Sequence, residues 1–440
     1  MKIYSFPQGG ISFDDVTVPP RDSSVMAFLP GLSVIPLVQH TGRRAYPIVS
    51  VGDFVREGML VGRAQGAGSA NVHATVPGRV VRMVSWKMGD DHINDALVIR
   101  MEGAFERLGK QEEVFSWRGL SSFDLRQLIA EYGIVEMEGV GRPVSDMFTA
   151  LRSLKEPHTL VLRCVFDDPW LAADYVLCQE RIKAVVEGSF ITASAARVSR
   201  IVFAVSYKEK ELGAKLLDEA ESISPDFPLS LVLVSSRYPQ RNRRELTYAL
   251  RLFEKREGLN FGSLLFLGPA TAAAIHDAIK LKKPILDRYV AVGGSAVKTP
   301  QVMKVRIGTR IGEVFAECGG FIDTPQRIAT GSPLRGRAVA DLDEPIVKTT
   351  YGVFAILEKQ LGGTAVRNCI GCGECRVVCP VGLDPKVLFK SIHTKQRGGA
   401  VWKRAGECHG CGCCEVVCPS MIPLSTTIVN SIYGGHPDVP

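Results

Sequence analysis

What the chain lacks narrows it first. No run approaches the ~20 apolar residues that a bilayer-spanning helix needs. The most apolar stretch, "FGSLLFLGPATAAAI" from Phe261 to Ile275, is too short and is broken by glycine and proline. The opening residues, MKIYSFPQGGISF, carry no apolar core of a secretion signal. These absences predict a cytoplasmic protein that reaches a membrane only through a partner. Excess charge is also small: 53 Lys and Arg against 46 Asp and Glu leave +7 on 440 residues. Nucleic acid is therefore not an expected partner, while an acidic protein or an anionic membrane face is compatible. Cysteine is scarce outside one stretch, with nine of the twelve between Cys369 and Cys418. A chain of this length builds its core without disulfides, so cysteines packed this closely point to metal.

Within that stretch the same ruler occurs twice. "NCIGCGECRVVCP" places Cys369, Cys372, Cys375 and Cys379 before Pro380, and "ECHGCGCCEVVCP" places Cys408, Cys411, Cys414 and Cys418 before Pro419. Both read C-x2-C-x2-C-x3-C-P. Three thiolates at this interval hold three corners of an iron-sulfur cube, and the fourth cysteine is carried away to the other cube. The spacing therefore predicts two [4Fe-4S] clusters, one on Cys369, Cys372, Cys375 and Cys418, the other on Cys408, Cys411, Cys414 and Cys379. Two zinc sites fit less well, because structural zinc uses paired C-x2-C knuckles without a third regular cysteine. Cys413 fits neither ruler and reads as a small apolar residue beside a cluster. Cys164, Cys178 and Cys318 stand alone in apolar surroundings and read as core residues.

The remaining chain divides by pattern into a multidomain α/β and α+β protein. Residues 1–118 show short β-rich runs cut by turn signals, as in "YPIVSVGDFVREGMLVGRAQG". They resemble the barrel-sandwich hybrid of biotinyl and lipoyl carriers. The expected hairpin tip, "HATVPGR", has no lysine, so no covalent carrier lysine is expected. His40 and His73 read as structural. Residues 119–235 alternate helix and strand, with "TLVLRCVF", "RIVFAVS" and "LSLVLVS" as buried strands of an α/β layer. Residues 236–330 read as a small α+β unit of β-grasp-like character, in which "MKVRIGTRIGEVF" adds β-structure. A connector follows over 331–360, and 361–440 is a helical two-cluster ferredoxin-like domain.

This order resembles the C subunit of the Rnf electron-transport complex. "FPQGG" from Phe6, "HATVPGRV" from His73, "AIKLKKPILDRYVAVGG" from Ala278 and "EPIVKTTYGVFAI" from Glu344 carry the likeness together with the cysteine rulers. The resemblance implies a peripheral subunit at the cytoplasmic face of the inner membrane. It would pass electrons between ferredoxin and NAD while membrane subunits move an ion. It also implies an FMN- and NADH-binding α/β domain like that of respiratory complex I, with a loop close to G-I-V-G-L-G-G-A-x-F-P-T. Here the loop reads "GIVEMEGVGRPV". Gly133, Gly139 and Pro143 survive, and Glu136 and Glu138 stand where glycines are expected. Glycines let backbone N–H groups approach a phosphate, and glutamates bring bulk and negative charge. A second motif, N-G-A-E-C-E-P-Y in the family, reads "RCVFDDPW", with Asp168 standing for one carboxylate and Phe166 replacing the other. The departures predict a degraded FMN and NADH site and argue against FMN as a cofactor, unless Arg142 or Arg163 rescues phosphate binding.

The ferredoxin-like region has eight Lys and Arg against five acids, several of them between the rulers. They read as a solvated face or as a docking patch for an acidic redox partner. Two other architectures compete. A soluble flavin and iron-sulfur reductase would keep its flavin loops. A docking protein like the A subunit of the sodium-pumping quinone reductase would lack the cysteine rulers.

Overall fold

In the computed structural model, which describes residues 2–13, 19–87, 93–110, 113–223, 227–358, 365–395 and 402–433, four sheets precede a helical C-terminal module. The first two sheets make a β sandwich. Leu32–Pro36, Ile93–Met101, Gly78–Lys87 and Phe54–Val55 form one, and Tyr46–Pro47, Leu60–Arg63 and Val72–His73 the other. Alternation sets their faces: Val80, Leu97 and Ile99 fill the core while Arg79 and Arg100 pair on the outside. The segment expected to be a projecting hairpin tip is instead buried. Thr75 Oγ1 donates to the Ile307 carbonyl at 2.6 Å, fastening the sandwich to a later part of the chain.

The third sheet is fully parallel, in the order Leu229–Val234, Arg200–Ser206, His158–Cys164, Ser263–Leu267. It is apolar on both faces, with Leu160, Leu162 and Phe203 in one core and Val161, Val202 and Val232 in another. Two-faced burial explains the unbroken apolar runs. The strand Ser263–Leu267 was expected in the following unit; it returns to pair with His158–Cys164, so the expected limit at 235/236 passes through this layer. A short apolar run does not encode which sheet it joins. The helices Ile182–Ala196 and Pro269–Lys280 touch at Gly188, where a Cβ would lie 1.9 Å from the Ala272 carbonyl oxygen.

The fourth sheet has six strands: Ser24–Met26, Gln301–Arg306, Asp287–Gly293, Gly352–Ile356, Arg327–Thr330 and Arg337–Ala338. It draws one strand from residues assigned to the N-terminal unit and two from the expected connector. Ile311–Glu317, expected as β-structure, is a helix. The Glu313 carboxylate accepts from the Arg310 backbone N–H at 3.2 Å, closing a cap that the alternating pattern did not announce.

Residues 4–11 run from the α/β domain to the cysteine module. Tyr4 N–H donates to Leu233, Ile11 N–H to Tyr238, and Gly10 N–H to Val378 inside the first cysteine ruler. The sandwich is held to the six-stranded sheet by a buried pair, Arg306 Nη2 to Glu57 Oε1 at 2.7 Å. Removing one partner of a buried pair leaves the other charge uncompensated. Glu57→Ala is therefore expected to cost about 3–5 kcal/mol in equilibrium denaturation, and a loss below about 1 kcal/mol would contradict this role.

Candidate metal centre

The two rulers fold alike because their residues repeat. Gly373 and Gly412, at φ 82° and 80°, supply the left-handed turn before the short helices Glu374–Val377 and Cys413–Val416. Pro380 and Pro419 then stop each helix, and longer helices follow at Pro385–His393 and Leu424–Tyr433. Asp384 caps the first of these by accepting from Val387 N–H at 3.1 Å. The longer helices pack on one core through Leu388 and Ile428. Each ruler's start is tied to the residues after the other's end. Ser420 Oγ donates to the Asn368 carbonyl at 2.9 Å, and Arg404 Nη2 donates to the Val381 carbonyl at 2.8 Å. This is the arrangement that crossed ligation requires.

One cavity is lined by Cys379, Cys408, Cys411 and Cys414, the four thiols assigned to one cluster from spacing, and by Cys413 as a fifth. The Leu383 backbone N–H donates to Cys379 Sγ at 3.3 Å. Of the other quartet, Cys375 and Cys418 pack together with Ile422, Leu424 and Cys414, while Cys369 and Cys372 lie exposed. Among the described residues no three metal-binding side chains converge on a single-ion site. A cube carries its metals at four corners, so thiolates spread around a cavity suit it better than they suit zinc. The donor set fits iron-sulfur clusters. Cys413, expected as a packing residue, is buried against Tyr238 and Val378 and also borders this cavity. Cys164, Cys178 and Cys318 are buried in cores.

The second ruler docks directly on the α/β domain. Tyr238 Oη donates to the Cys411 carbonyl at 2.7 Å. Asn242 Nδ2 donates to His409 Nδ1 at 3.0 Å, which leaves the Nε2 proton for the Glu245 carboxylate, also at 3.0 Å. Arg335 Nη1 donates to Asn242 Oδ1 at 2.9 Å. Sequence reasoning missed Tyr238, His409 and Glu245. Only the polar cluster "RYPQRNRREL" hinted that something besides solvent is met there.

One residue before Asn242 lies a buried charge cluster. Arg241 Nη1 donates to the Val165 carbonyl at 3.0 Å, and Nη2 stands 2.5 Å from Glu138 Oε1 and 3.5 Å from Asp174 Oδ2. The Arg241–Glu138 contact is held by charge rather than by an aligned N–H···O bond. Arg163 Nη2 donates to Glu138 Oε2 at 2.5 Å and to Glu136 Oε1 at 3.4 Å. Arg288, fully buried, donates to Asp174 Oδ1 at 3.2 Å. Burial pushes the Glu138 carboxyl up, but Arg163 and Arg241 outweigh it and hold its pKa at about 2. Burial raises the Glu136 carboxyl, with Arg163 opposing.

The three residues expected to mark a flavin site do not gather into one. Gly133 sits at the seam with the sandwich, its carbonyl taking the Lys348 ammonium at 2.8 Å. Gly139 lies at an exposed turn. Asp168 is buried and accepts from the Trp170 N–H at 3.0 Å. Three guanidiniums (Arg163, Arg241, Arg288) already face three carboxylates (Glu136, Glu138, Asp174). Arg163 is bound to both glutamates, so it is not free to rescue phosphate binding. A flavin phosphate does not fit this site.

A dicluster ferredoxin module docked on a flavoprotein-type α/β layer defines an iron-sulfur electron-transfer protein. Family models agree along the chain: the RnfC barrel sandwich hybrid domain matches residues 6–104, the Nuo51 FMN-binding domain 129–258, the SLBB domain 289–338 and the 4Fe-4S dicluster domain 365–422. The C subunit of the ion-translocating oxidoreductase complex of Rhodobacter capsulatus is 30% identical over 84% of this chain and 72% of its own length. The C subunit of the proton-translocating ferredoxin:NAD(+) oxidoreductase complex of Clostridium ljungdahlii is 28% identical over 87% and 83%, and the Na(+)-translocating counterpart of Acetobacterium woodii is 26% identical over 81% and 80%. The chain belongs to the family of Rnf-type C subunits. Among the described residues no helix is long and apolar enough to cross a membrane.

Asp167 yields a pH test. Burial pushes its carboxyl up to about 7 from the ordinary 3.8, although the Arg241 N–H at 2.8 Å and the Arg241 charge oppose the rise and neighbouring Asp168 adds to it. The folded form holds this proton more tightly than the unfolded chain. Stability contributed at low pH is therefore lost as pH rises from about 4 to about 7. Asp167→Asn should flatten that fall by about 4 kcal/mol, read as denaturant midpoints across the range. An unchanged pH profile would contradict it.

Proposed function

We propose that this chain is the peripheral electron-transfer component of a membrane-bound Rnf-type complex, working at the cytoplasmic face beside membrane subunits that move the ion. The observation that carries this is the cavity where Cys379 of one ruler joins Cys408, Cys411, Cys413 and Cys414 of the other stretch. The relatives' names, with ferredoxin, NAD(+) and ion translocation in them, support the reading. Cys369, Cys372, Cys375 and Cys418 would hold one [4Fe-4S] cluster, and Cys408, Cys411, Cys414 and Cys379 the other. Each cluster supplies a one-electron centre. The protein fixes the loops around these thiolates, through Tyr238 and His409 on one side and the paired helices on the other. The Leu383 amide aimed at Cys379 Sγ is one of the hydrogen bonds that set such a centre's potential. FMN is not a cofactor in this reading.

The two ends of the module differ. The second ruler is covered by the α/β domain, whereas the first faces outward. Ile370 is 73% and Val377 69% exposed beside Cys369 and Cys372. Arg367, Arg376, Lys386 and Lys390 are exposed around them. An apolar centre with a cationic rim suits an acidic one-electron carrier protein, which long-range attraction would guide to the first ruler. Arg397, counted with the basic linker from sequence, lies outside the described residues.

Crossed ligation has a specific signature. Cys379→Ala and Cys408→Ala should each remove the same paramagnetic signal and about half of the iron, with Cys418→Ala grouping with Cys369→Ala. Grouping of Cys379 with Cys369 instead would contradict it. The docking face has its own test. Lys386→Glu with Lys390→Glu should slow reduction by an acidic ferredoxin about tenfold at low salt, with the difference gone near 1 M salt. A salt-independent rate equal to that of the unaltered protein would contradict it.

A further inference from the structure

We infer that Glu138 is a built-in anion, occupying a seat formed by Arg163, Arg241 and the N-terminus of the helix Pro269–Lys280 and so keeping phosphate-bearing cofactors and nucleotides out of the α/β domain. Three independent features make this a seat for an anion rather than an ordinary ion pair. The first is position. An added Cβ on Gly268, the residue that opens the helix, would lie 1.8 Å from Glu138 Oε1. The carboxylate thus rests against the positive end of a helix dipole, where anions bind. The second is the burial of its partners: Arg163 and Arg241 are turned inward from the end of the strand His158–Cys164 and from the loop after Tyr238, and both reach this one carboxylate. Buried guanidiniums are costly unless an anion joins them. The third is unmet bonding capacity. Arg163 Nε, Arg241 Nη2, Arg288 Nε and Arg288 Nη1 are buried without an aligned hydrogen-bond partner, and so are the acceptors Glu138 Oε1 and Asp174 Oδ2. Charge is matched at this seat while hydrogen bonds are left unmade on both sides, so the carboxylate fills it by charge rather than by fit.

The loop is built to deliver the carboxylate. Val135 bridges to Pro143, and Glu136 N–H donates to the Arg142 carbonyl at 2.7 Å, closing a narrow turn. Met137 N–H donates to Thr271 Oγ1 at 2.9 Å, which pins the turn onto the first turn of the helix. Glu138 follows and points in, and Glu136 takes the outer side of Arg163. The inference deepens the proposed function, because with this seat filled from within, electrons enter by contact between proteins rather than from a nucleotide bound in this domain.

The test uses the full chain carrying its clusters. Titration of the unaltered protein with FMN, followed by flavin fluorescence, should show no saturable binding below about 1 mM. Inorganic phosphate should leave its melting temperature unchanged. Glu138→Gly should lower the melting temperature, and added inorganic phosphate should restore part of the loss, with phosphate binding at least about tenfold tighter than in the unaltered protein. Glu138→Gln, which keeps the shape and removes the charge, should show the same phosphate-dependent recovery if the glycine variant does not fold. Saturable micromolar FMN binding by the unaltered protein would overturn the inference. So would a folded Glu138 variant that gains nothing from phosphate. Iron content and the paramagnetic signals of the clusters report separately on the electron-transfer reading, so a failure there is distinguishable from a failure here.

Discussion

The molecule depends on how the charge of Arg241 is neutralised. This guanidinium is raised further toward permanent charge by Glu138 and Asp174, against the opposing effect of its own burial. An unpaired charge in that position would cost several kcal/mol. Its backbone N–H holds Asp167, its side chain reaches the carbonyl at the end of a central strand, and the next residue holds His409 between two cluster cysteines. The α/β layer and the dicluster module therefore meet through a segment that Glu138 keeps in place. A loop that could have received a ligand from outside instead supplies the missing charge from within.

Seen this way, the chain has a closed end and an open end. The closed end is the α/β domain, where acid and base are matched and the second ruler is covered by Tyr238, Asn242 and Glu245. The open end is the first ruler, with exposed thiols, apolar side chains and cations. Residues 4–11 sew the two halves together by backbone bonds to Leu233, Tyr238 and Val378. These bonds hold the first ruler against the α/β layer that covers the second.

The dicluster module was legible because the spacing of its cysteines repeats, and the cavity that holds Cys379 with Cys408, Cys411, Cys413 and Cys414 is where the residue count brings the two rulers together. The parallel strands were legible from unbroken apolar runs. The place of Ser263–Leu267 was not, because pairing with His158–Cys164 is decided by a partner a hundred residues away. The same holds for Ser24–Met26 and Gly352–Ile356, which join one sheet from opposite ends of the chain. Ile311–Glu317 was hidden because Val305 and Ile307 begin an alternation that the helix then ends. At the candidate site, Glu136 and Glu138 stood out in the sequence as misplaced carboxylates. What they do there depends on Arg163 and Arg241, and no local pattern connects those residues with the loop.

The most direct measurement is iron and flavin content per chain after anaerobic purification and reconstitution with iron, sulfide and FMN, with an electron paramagnetic resonance spectrum of the reduced protein. The account predicts about eight irons, signals from two [4Fe-4S] centres, and no flavin after desalting. About one flavin per chain, or no more than about four irons, would contradict it.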